Sequence, residues 1–530
     1  MDQQVLMSVS MKQASAIPCP MIDALTQLHG GDYAKAAGLG AGMMLGHSYE
    51  AIPDPPVYPA APLASAPAAD CANHLSRLPD AILKDDAART AALASRWRGL
   101  WLCAPLALVD AQILPAGVPA ERVTQSGDDY TSRAVVAAAS RVLKAHPGPF
   151  RCVQLFRCVQ LTRGHMASHQ AEMERWLKLL AAKGVKELTF INRPWPMDFP
   201  LPAKVFGCAA SLTSLHLGAW RFPSTAGLPR ATRFPHLQEL ILSTITVIMS
   251  QTGARVRLVS RSLRCVQVTV SAIADITVVD APRLERLFAW LITGRPQRSN
   301  MRSRIKIGHA PKLSMLGYWQ PGFELEIGNT IIKVDTKVGP ITMVPSVKIF
   351  ALEVQFEVRS EVKMVPCFLK CFPNVETLHI ISQNDDAPSG TPDPKFGPEV
   401  DYIDCIQNHL KKFVFQEFQG KRCELAFLKF IAERAQVLEK MVVIVGLCIF
   451  LFGRWCVKAK LKPLASAKWA SEDCKLIVFN NPLEGRSPAW HLQIAPAFSW
   501  SDPFDLLTAG AEINGDAFVL HHSRRTLNWK

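Results

Sequence analysis

One short pattern of apolar residues returns nine times between Val185 and Phe415. Each copy has apolar residues at its first, fourth and sixth positions and starts 21 to 35 residues after the previous copy. The second position is polar in all nine copies, from Lys186 in the first to Lys411 in the last. Alternating apolar and polar residues predict a short strand with one buried face, and such a strand cannot bury that face alone. We therefore expect the units to stack, so that neighbouring strands bury a common core.

The nine copies follow one another without interruption. They are Val185/Leu188/Phe190, Leu212/Leu215/Leu217, Leu237/Leu240/Leu242, Leu263/Val266/Val268, Leu284/Leu287/Ala289, Leu313/Leu316/Tyr318, Val347/Phe350/Leu352, Val375/Leu378/Ile380 and Leu410/Phe413/Phe415. Their period is similar to that of leucine-rich repeats. This resemblance predicts an α/β fold in which residues 150–415 form a leucine-rich-repeat solenoid with a curved parallel sheet. The alternative is an ordinary series of αβ units in one compact domain.

The composition favours a large protein with reduced cysteines and more than one domain. The chain has 530 residues, of which 49% are hydrophobic and 20% are charged, enough to bury a sizeable core. Its 14 cysteines are scattered, and the closest useful pair, Cys367 and Cys371, has no second pair beside it. A disulfide framework, a metal site and a cofactor are therefore not predicted. We expect reduced thiols and a cytoplasmic or nuclear location.

Two classes of partner are disfavoured by the sequence. The first 21 residues lack the pattern of a secretory signal, and the longest apolar run, 441–453, is too short to span a bilayer. The net charge is +14 at pH 7, and the stretch from Arg286 to Phe323 contains seven Lys or Arg residues and no acid. Few aromatic residues interleave with these charges, so a solvated loop or a contact with an acidic protein is favoured over nucleic acid. We therefore predict neither a membrane nor a nucleic-acid partner.

The N-terminal part changes in composition near residue 74. Residues 1–73 are rich in Ala and Pro and are predicted to be disordered. Residues 74–110 then contain Leu-Pro-Asp at 78–80, Lys-Asp-Asp-Ala-Ala-Arg-Thr at 84–90 and Arg-Trp-Arg-Gly-Leu-Trp at 96–101. These segments resemble the F-box, a small α-helical unit, although about two helical turns of the family pattern are absent after Leu83. Residues 111–149 follow as a linker, with a helix predicted at 134–146.

The F-box resemblance implies a Skp-family adaptor as a partner and, through it, a cullin. The matching positions that would contact the adaptor are Leu75, Leu78, Pro79, Ile82, Leu83, Leu93, Trp97, Leu100 and Trp101. Packing in the core of the small helical unit is an equally good reading of each position. The missing turns also leave open whether the adaptor still binds, since a unit of this size has little stability to lose.

The sequence around and after Leu410 is similar to the FBD domain of plant F-box/leucine-rich-repeat proteins. The matching segments are His409–Lys412, Glu424–Leu428, Ala435–Met441 and Ala470-Ser471. An FBD domain over residues 405–480 implies an αβ cap for the open end of the repeats, and residues 481–530 remain as a C-terminal tail. The apolar stripe Leu425/Leu428/Ile431/Leu438 predicts a helix at 424–440 that covers the strand at 410–415.

The sequence contains no pattern typical of catalysis. Gly-x-Ser-x-Gly, His-Glu-x-x-His and a Walker loop are all absent, so we predict a binding protein and not an enzyme. The family resemblance implies the substrate-recognition subunit of a Skp–cullin–F-box E3 ubiquitin ligase, with an unidentified target protein on the repeats. The alternative is a leucine-rich-repeat scaffold that no longer recruits the ligase because its F-box is damaged.

The fifth position of each copy is expected to point away from the repeat core. Several of these positions are apolar, which is typical of a protein-binding patch. The predicted target-binding residues on this concave face are His216, Ile241, Gln267, Phe288 and His379. In particular, we expect Ile241 and Phe288 to be exposed.

Overall fold

The structure is a computed structural model, and it describes the repeats and most of the FBD segment. The described residues are 106–110, 129–155, 166–192, 199–222, 233–243, 254–290 except 270 and 272, 303–383 except 335, 402–446, 454–479 except 466, 498–499, 501–504, 517–523 and 526–529. The predicted adaptor-contact positions between Leu75 and Trp101 lie outside the described residues, as does the predicted disordered segment 1–73. The contacts divide the chain into two units, Met1–Gln251 and Thr252–Lys530, which are described separately.

The first unit contains a parallel sheet with the predicted register. Its elements in chain order are β1 (Leu106–Val109), α1 (Asp129–Ala145), β2 (Phe150–Leu155), α2 (Met166–Ala182), β3 (Glu187–Ile191), β4 (Ser214–Gly218) and β5 (Glu239–Ser243). The five strands lie side by side in that order, and all are parallel. The fourth positions of three consecutive copies, Leu188, Leu215 and Leu240, are direct partners in the ladders. The strands predicted from these copies are therefore confirmed.

Two helices of the first unit pack against each other. The indole of Trp176 in α2 donates a hydrogen bond to Ser140 Oγ in α1 at 2.8 Å. Leu143 of α1 and Leu180 of α2 are fully buried. The helix predicted at 134–146 is thus confirmed, with a start five residues earlier at Asp129.

The second unit continues the repeats in a longer sheet. Its elements are β6 (Ala254–Val259), β7 (Cys265–Thr269), β8 (Ile273–Asp280), β9 (Arg286–Trp290), β10 (Arg304–His309), β11 (Met315–Trp319), β12 (Glu324–Ile327), β13 (Thr330–Ile331), β14 (Ile349–Val354), α3 (Arg359–Cys371), β15 (Thr377–Ser382), β16 (Lys412–Phe418), α4 (Arg422–Arg434), β17 (Lys440–Val445), α5 (Arg454–Ala465), β18 (Lys475–Phe479), β19 (Ala517–Ser523) and β20 (Thr526–Trp529). Strands β7, β9, β11 and β14–β18 form a parallel sheet, and the antiparallel pair β19–β20 extends it beyond β18.

The fourth- and sixth-position residues of the second unit pack toward the helices. Phe350 on β14 contacts Phe372 at the end of α3, with 4.7 Å between the ring centroids. Leu378 and Ile380 on β15 are fully buried. This apolar face is the core predicted from the repeat pattern, because each strand buries it only against its neighbours and the following connection.

The sixth copy departs from the predicted register by one residue. A bulge between Leu316 and Trp319 makes Trp319, and not Tyr318, the partner of Leu352 on β14. Trp319 therefore takes the core position and contacts Phe368 of α3 at 6.0 Å between ring centroids. The prediction of Tyr318 as a core residue of this copy is wrong, because one extra residue reverses the alternation of side chains along a strand.

A second, smaller sheet is formed by the connections between repeat strands. Its order is β13-β12-β10-β8-β6. Cations on β10 are paired along its surface: Arg304 with Asp275 at 2.6 Å and with Glu326 at 3.2 Å, and Lys306 with Glu326 at 2.6 Å. Two cations of the strongly basic stretch are thus neutralised within the chain.

The helix of the FBD segment is shorter than predicted. α4 begins at Arg422, where the buried carboxylate of Glu424 accepts backbone hydrogen bonds from Gln419 and Lys421 at 3.0 Å each. It ends at Arg434 and not near residue 440, because the backbone N–H of Glu439 bonds to the carbonyl of Lys411 and so enters the repeat ladder. The end of the predicted helix is therefore wrong, and Leu438 of the predicted stripe is buried in the turn before β17.

The FBD segment continues the repeat sheet and does not close it with a different architecture. β16, β17 and β18 pair in parallel, in the same sense as the repeat strands before them. The edge of β18 is covered by the antiparallel strand β19 of the C-terminal tail. A cap is expected to differ in architecture from the repeats. That difference occurs at the antiparallel strand β19 of the C-terminal tail, a segment to which the sequence patterns assigned no role.

Candidate functional site

The second unit has one sheet face that bears aromatic and charged side chains. We call it the fifth-position face. It comprises Gln267 on β7, Arg286 and Phe288 on β9, Tyr318 on β11, Ala351 on β14, His379 on β15 and Lys412 and Val414 on β16. The ladders make Gln267 the partner of Phe288, and His379 the partner of both Ala351 and Val414. These side chains lie on the opposite side of the strands from the core residues Leu378 and Ile380, as the alternation of a strand requires.

The predicted target-binding residues are buried and not exposed. His216 has a relative exposure of 1%, and Ile241, Gln267, Phe288 and His379 each have 0%. The prediction that Ile241 and Phe288 are exposed is therefore wrong. In the second unit the physical reason is visible, because a segment of the C-terminal tail lies on the fifth-position face.

This tail segment consists of the described residues Phe498, Ser499 and Ser501–Phe504. The ring of Phe504 is 1% exposed and contacts three side chains of the face. Its centroid lies 5.2 Å from that of Phe288, 5.1 Å from that of Tyr318 and 5.3 Å from that of His379. The contacts with Phe288 and Tyr318 are edge-to-face, a favoured geometry for aromatic pairs. Side chains from three strands of the sheet, β9, β11 and β15, thus form an aromatic pocket for one side chain.

Asp502 places a carboxylate beside the same pocket. Its Oδ2 lies 3.0 Å from His379 Nε2 and 3.8 Å from Lys412 Nζ. Its Oδ1 accepts the backbone N–H of Phe504 at 3.1 Å, which closes a turn around Pro503. Burial would raise the pKa of Asp502, but the charge and hydrogen bond of His379, with Lys412, bring it below its ordinary value. The carboxylate is therefore held ionised by the face it lies on.

Phe498 makes a second aromatic contact on this face. Its ring lies 3.6 Å from the guanidinium carbon of Arg264 and 4.8 Å from that of Arg286. Arg264 is held in place by Glu285, with hydrogen bonds of 2.8 and 3.1 Å. A cation over an aromatic face is attractive, and the attraction increases when the cation is shielded from water. Arg286 is only 3% exposed, and its burial lowers its pKa.

Some buried polar atoms of the fifth-position face remain unpaired. Within the described part of the chain, neither Nε2 nor Oε1 of Gln267 has a hydrogen-bond partner, and His379 Nδ1 has none either. Glu353 on β14 is satisfied by Gln320 at 2.8 Å and by Gln383, although burial raises its pKa. A buried polar atom without a hydrogen bond costs free energy. The side-chain amide of Gln267 and Nδ1 of His379 are therefore sites for hydrogen bonds that the tail segment does not provide.

The first-unit residues predicted for target binding have a different environment. His216 Nε2 hydrogen-bonds to Ser243 Oγ at 2.9 Å, and burial lowers the pKa of His216 to about 3. The imidazole is therefore neutral at physiological pH and forms part of the buried strand layer. Ile241, its ladder partner, is also fully buried. The role of both residues in target binding stays a prediction.

The arrangement of side chains on the fifth-position face supports recognition of another chain. Its described members provide aromatic rings, the arginine Arg286, a lysine and an imidazole, which together with the nearby Arg264 bind aromatic and acidic side chains. Among the described residues, no group of three or more His, Cys, Asp or Glu could hold a metal ion. Cys152, Cys208 and Cys371 form no disulfide, and burial raises the pKa of each thiol to about 12. None of the described helices is long and apolar enough to cross a membrane.

Sequence reasoning missed the tail segment and four residues that it contacts. Tyr318 was assigned to the core, and the residues not assigned to the face were Arg264, Arg286 and Lys412. The signal present in the sequence was an aromatic residue followed at a short distance by Asp502-Pro503-Phe504, a composition typical of a tight turn with an apolar anchor. The pattern did not indicate which surface this turn would contact.

Comparisons with known proteins agree with the repeat architecture. Residues 173–252 and 241–380 match the family model for the leucine-rich repeats of FBD-associated F-box protein At5g56370. Residues 398–443 match the family model for the FBD domain. The chain is 24% identical to the F-box/FBD/LRR-repeat protein At1g13570 of Arabidopsis thaliana over 400 residues, which cover 70% of this chain and 90% of that protein. No solved structure matches the chain.

Proposed function

This chain has the leucine-rich repeats and the FBD domain of a plant F-box protein, and we propose that it is the substrate-recognition subunit of a Skp–cullin–F-box ubiquitin ligase. The observation that carries the proposal is the order of modules along the chain. An F-box-like motif at 74–110 precedes the repeats, and the FBD segment follows them. The similar Arabidopsis protein is named for the same three modules.

The mechanism follows from this division of the chain. The F-box-like motif binds the Skp-family adaptor, the repeat strands hold the target, and the ligase transfers ubiquitin at a separate site. Holding two reactants on one assembly converts a bimolecular encounter into an effectively intramolecular one. This role requires no catalytic residue of the chain itself. It is also compatible with a cytoplasmic or nuclear location, which we include in the proposal because buried cysteines such as Cys152, Cys208 and Cys371 form no disulfide.

A second candidate function is supported by one specific observation. About two helical turns of the F-box pattern are absent after Leu83, and the family resemblance implies that these turns supply core contacts of the unit. In this alternative the chain is a leucine-rich-repeat scaffold that binds a partner protein without recruiting the ligase.

Adaptor binding separates these two functions. If the proposal is correct, the full-length chain captures a purified plant Skp-family adaptor, and Trp97→Ala reduces that capture by about tenfold or more, since the F-box resemblance assigns this large ring to the adaptor contact. The measurement is a pull-down with quantified bound adaptor. Trp469→Ala, which removes a tryptophan from the FBD part of the chain, is the matched control and should bind like the wild type. Equal and negligible capture by all three proteins would support the scaffold.

A further inference from the structure

We propose that the fifth-position face is a peptide-binding surface that the chain's own tail segment occupies, and that it accepts target segments of the same chemistry. That chemistry is an aromatic residue followed four residues later by an Asp-Pro-aromatic turn, as in Phe498–Phe504. The inference rests on the proposed function only in assigning this surface to a target. The tail is then a built-in competitor that a target has to displace.

The strongest contact is the aromatic pocket for Phe504. Phe288, Tyr318 and His379 come from β9, β11 and β15, and their rings surround the Phe504 ring at 5.1 to 5.3 Å. A buried phenyl ring contributes both its apolar area and its edge-to-face contacts, so this position should dominate the affinity. On the neighbouring strand β16, Val414 is the ladder partner of His379 and is 3% exposed, packed in a cluster with Val442 and Phe479.

The charge pattern of the face selects an acid two residues before this ring. Asp502 meets His379 and Lys412, and it also closes the turn onto the backbone N–H of Phe504. A carboxylate this far from water is favourable only when it is paired and hydrogen-bonded. An amide at the same position would keep the turn but would lose the attraction to Lys412, so the face discriminates acidic from neutral peptides.

A third contact fixes the direction of the bound segment. Phe498 lies on the guanidinium groups of Arg264 and Arg286, toward the β7–β9 side of the sheet. Asp502 lies toward the β15–β16 side, between His379 and Lys412. The segment therefore crosses the strands of the sheet, and a peptide bound in reverse would place its acid near the arginines and its Phe498 ring away from them.

The tail segment leaves some polar atoms of the surface without hydrogen bonds. A peptide that pairs these atoms therefore has an advantage over the tail and displaces it. The tail leaves the buried amide of Gln267 and the Nδ1 of His379 without hydrogen bonds within the described part of the chain. A target segment that supplies a donor and an acceptor at these atoms recovers free energy that the tail does not. The tail compensates by its attachment, because a tethered segment has a high effective concentration, typically in the millimolar range.

Binding of a labelled peptide tests this inference. The probe is a fluorescent peptide of residues 496–506, and the proteins are the full-length chain and its Asp502→Ala/Phe504→Ala variant, in which the tail no longer fits its pocket. We expect the variant to bind the peptide roughly tenfold or more tighter than the wild type does, since the competing tail is released. Fluorescence anisotropy gives both dissociation constants.

Changes in the peptide provide the control and leave the protein untouched. Peptides with Phe504→Ala or Asp502→Asn should bind the released variant about tenfold more weakly than the natural sequence, because each lacks one of the two main contacts. The inference is overturned if the natural peptide binds neither protein, if both proteins bind it equally, or if the altered peptides bind as well as the natural one. The assay contains no adaptor, so its failure leaves the proposed ligase function standing, and the failure of adaptor binding leaves this inference standing.

Discussion

Replacing Leu428 by aspartate in the full-length chain is expected to lower the free energy of unfolding by about 4 kcal/mol or more. Leu428 lies on α4 and is fully buried. The next residue toward the N-terminus, Phe427, contacts Phe413 on β16 at 6.0 Å and Phe356 at 5.5 Å between ring centroids. The substitution removes a buried isobutyl group and places a carboxylate in this apolar layer, so it combines two large destabilising effects.

The measurement is the midpoint of thermal or urea unfolding, with Arg422→Asp as the matched control. Arg422 is exposed at the first turn of the same helix, where an acid interacts favourably with the helix dipole. The control should change the free energy of unfolding by no more than about 0.5 kcal/mol. If the two variants unfold alike, α4 does not cover the repeat core, and the position of the FBD helix in this account is wrong.

Ending the chain after Gln419 is expected to make the protein poorly soluble. In the full-length chain, β17 pairs with β16 through Phe413 and Met441, and α4 covers the apolar face of β16. Removing both leaves a complete strand edge and an apolar surface open, which promotes pairing with other chains.

The soluble fraction after expression and light scattering of the purified protein test this expectation. We predict mostly insoluble protein and large particles in any soluble fraction, whereas the full-length chain stays soluble under the same conditions. A truncated protein that is monomeric and as heat-resistant as the full-length chain would show that residues 420–530 form a separate module with no part in the repeat core.

The sequence pattern predicted the repeat strands well because their signal is local. Leu188 and Phe190 are separated by the polar Thr189, so a strand places both apolar side chains on one face of the sheet, where they are buried. The ladder partners Leu188 and Leu215 show the result. Tyr318 was misplaced because a bulge of one residue leaves the apolar pattern readable in two registers.

The site was predicted less well, because its burial depends on residues far away in the sequence. Phe288 and His379 were correctly placed on the face opposite the core, and their ring contacts with Phe504 come from a segment more than 100 residues further along the chain. No local pattern encodes such a contact, since the aromatic and acidic residues of the tail are compatible with many surfaces. The early end of α4 has a similar cause, because the ladder bond of Glu439 overrides the apolar stripe.

Ubiquitin transfer onto the chain itself is the measurement that tests the proposed function most directly. The full-length protein is mixed with purified Skp-family adaptor, cullin, ubiquitin and the charging enzymes, and the attachment of ubiquitin to its own lysines is followed over time. A chain docked on the ligase is held near the transfer site, so the account predicts modified wild-type protein and at least about tenfold slower modification of Trp97→Ala. Absence of modification in both proteins would contradict the account and leave the repeats as a binding scaffold without a ligase. Equal nonzero rates would contradict the assignment of Trp97 to the adaptor contact.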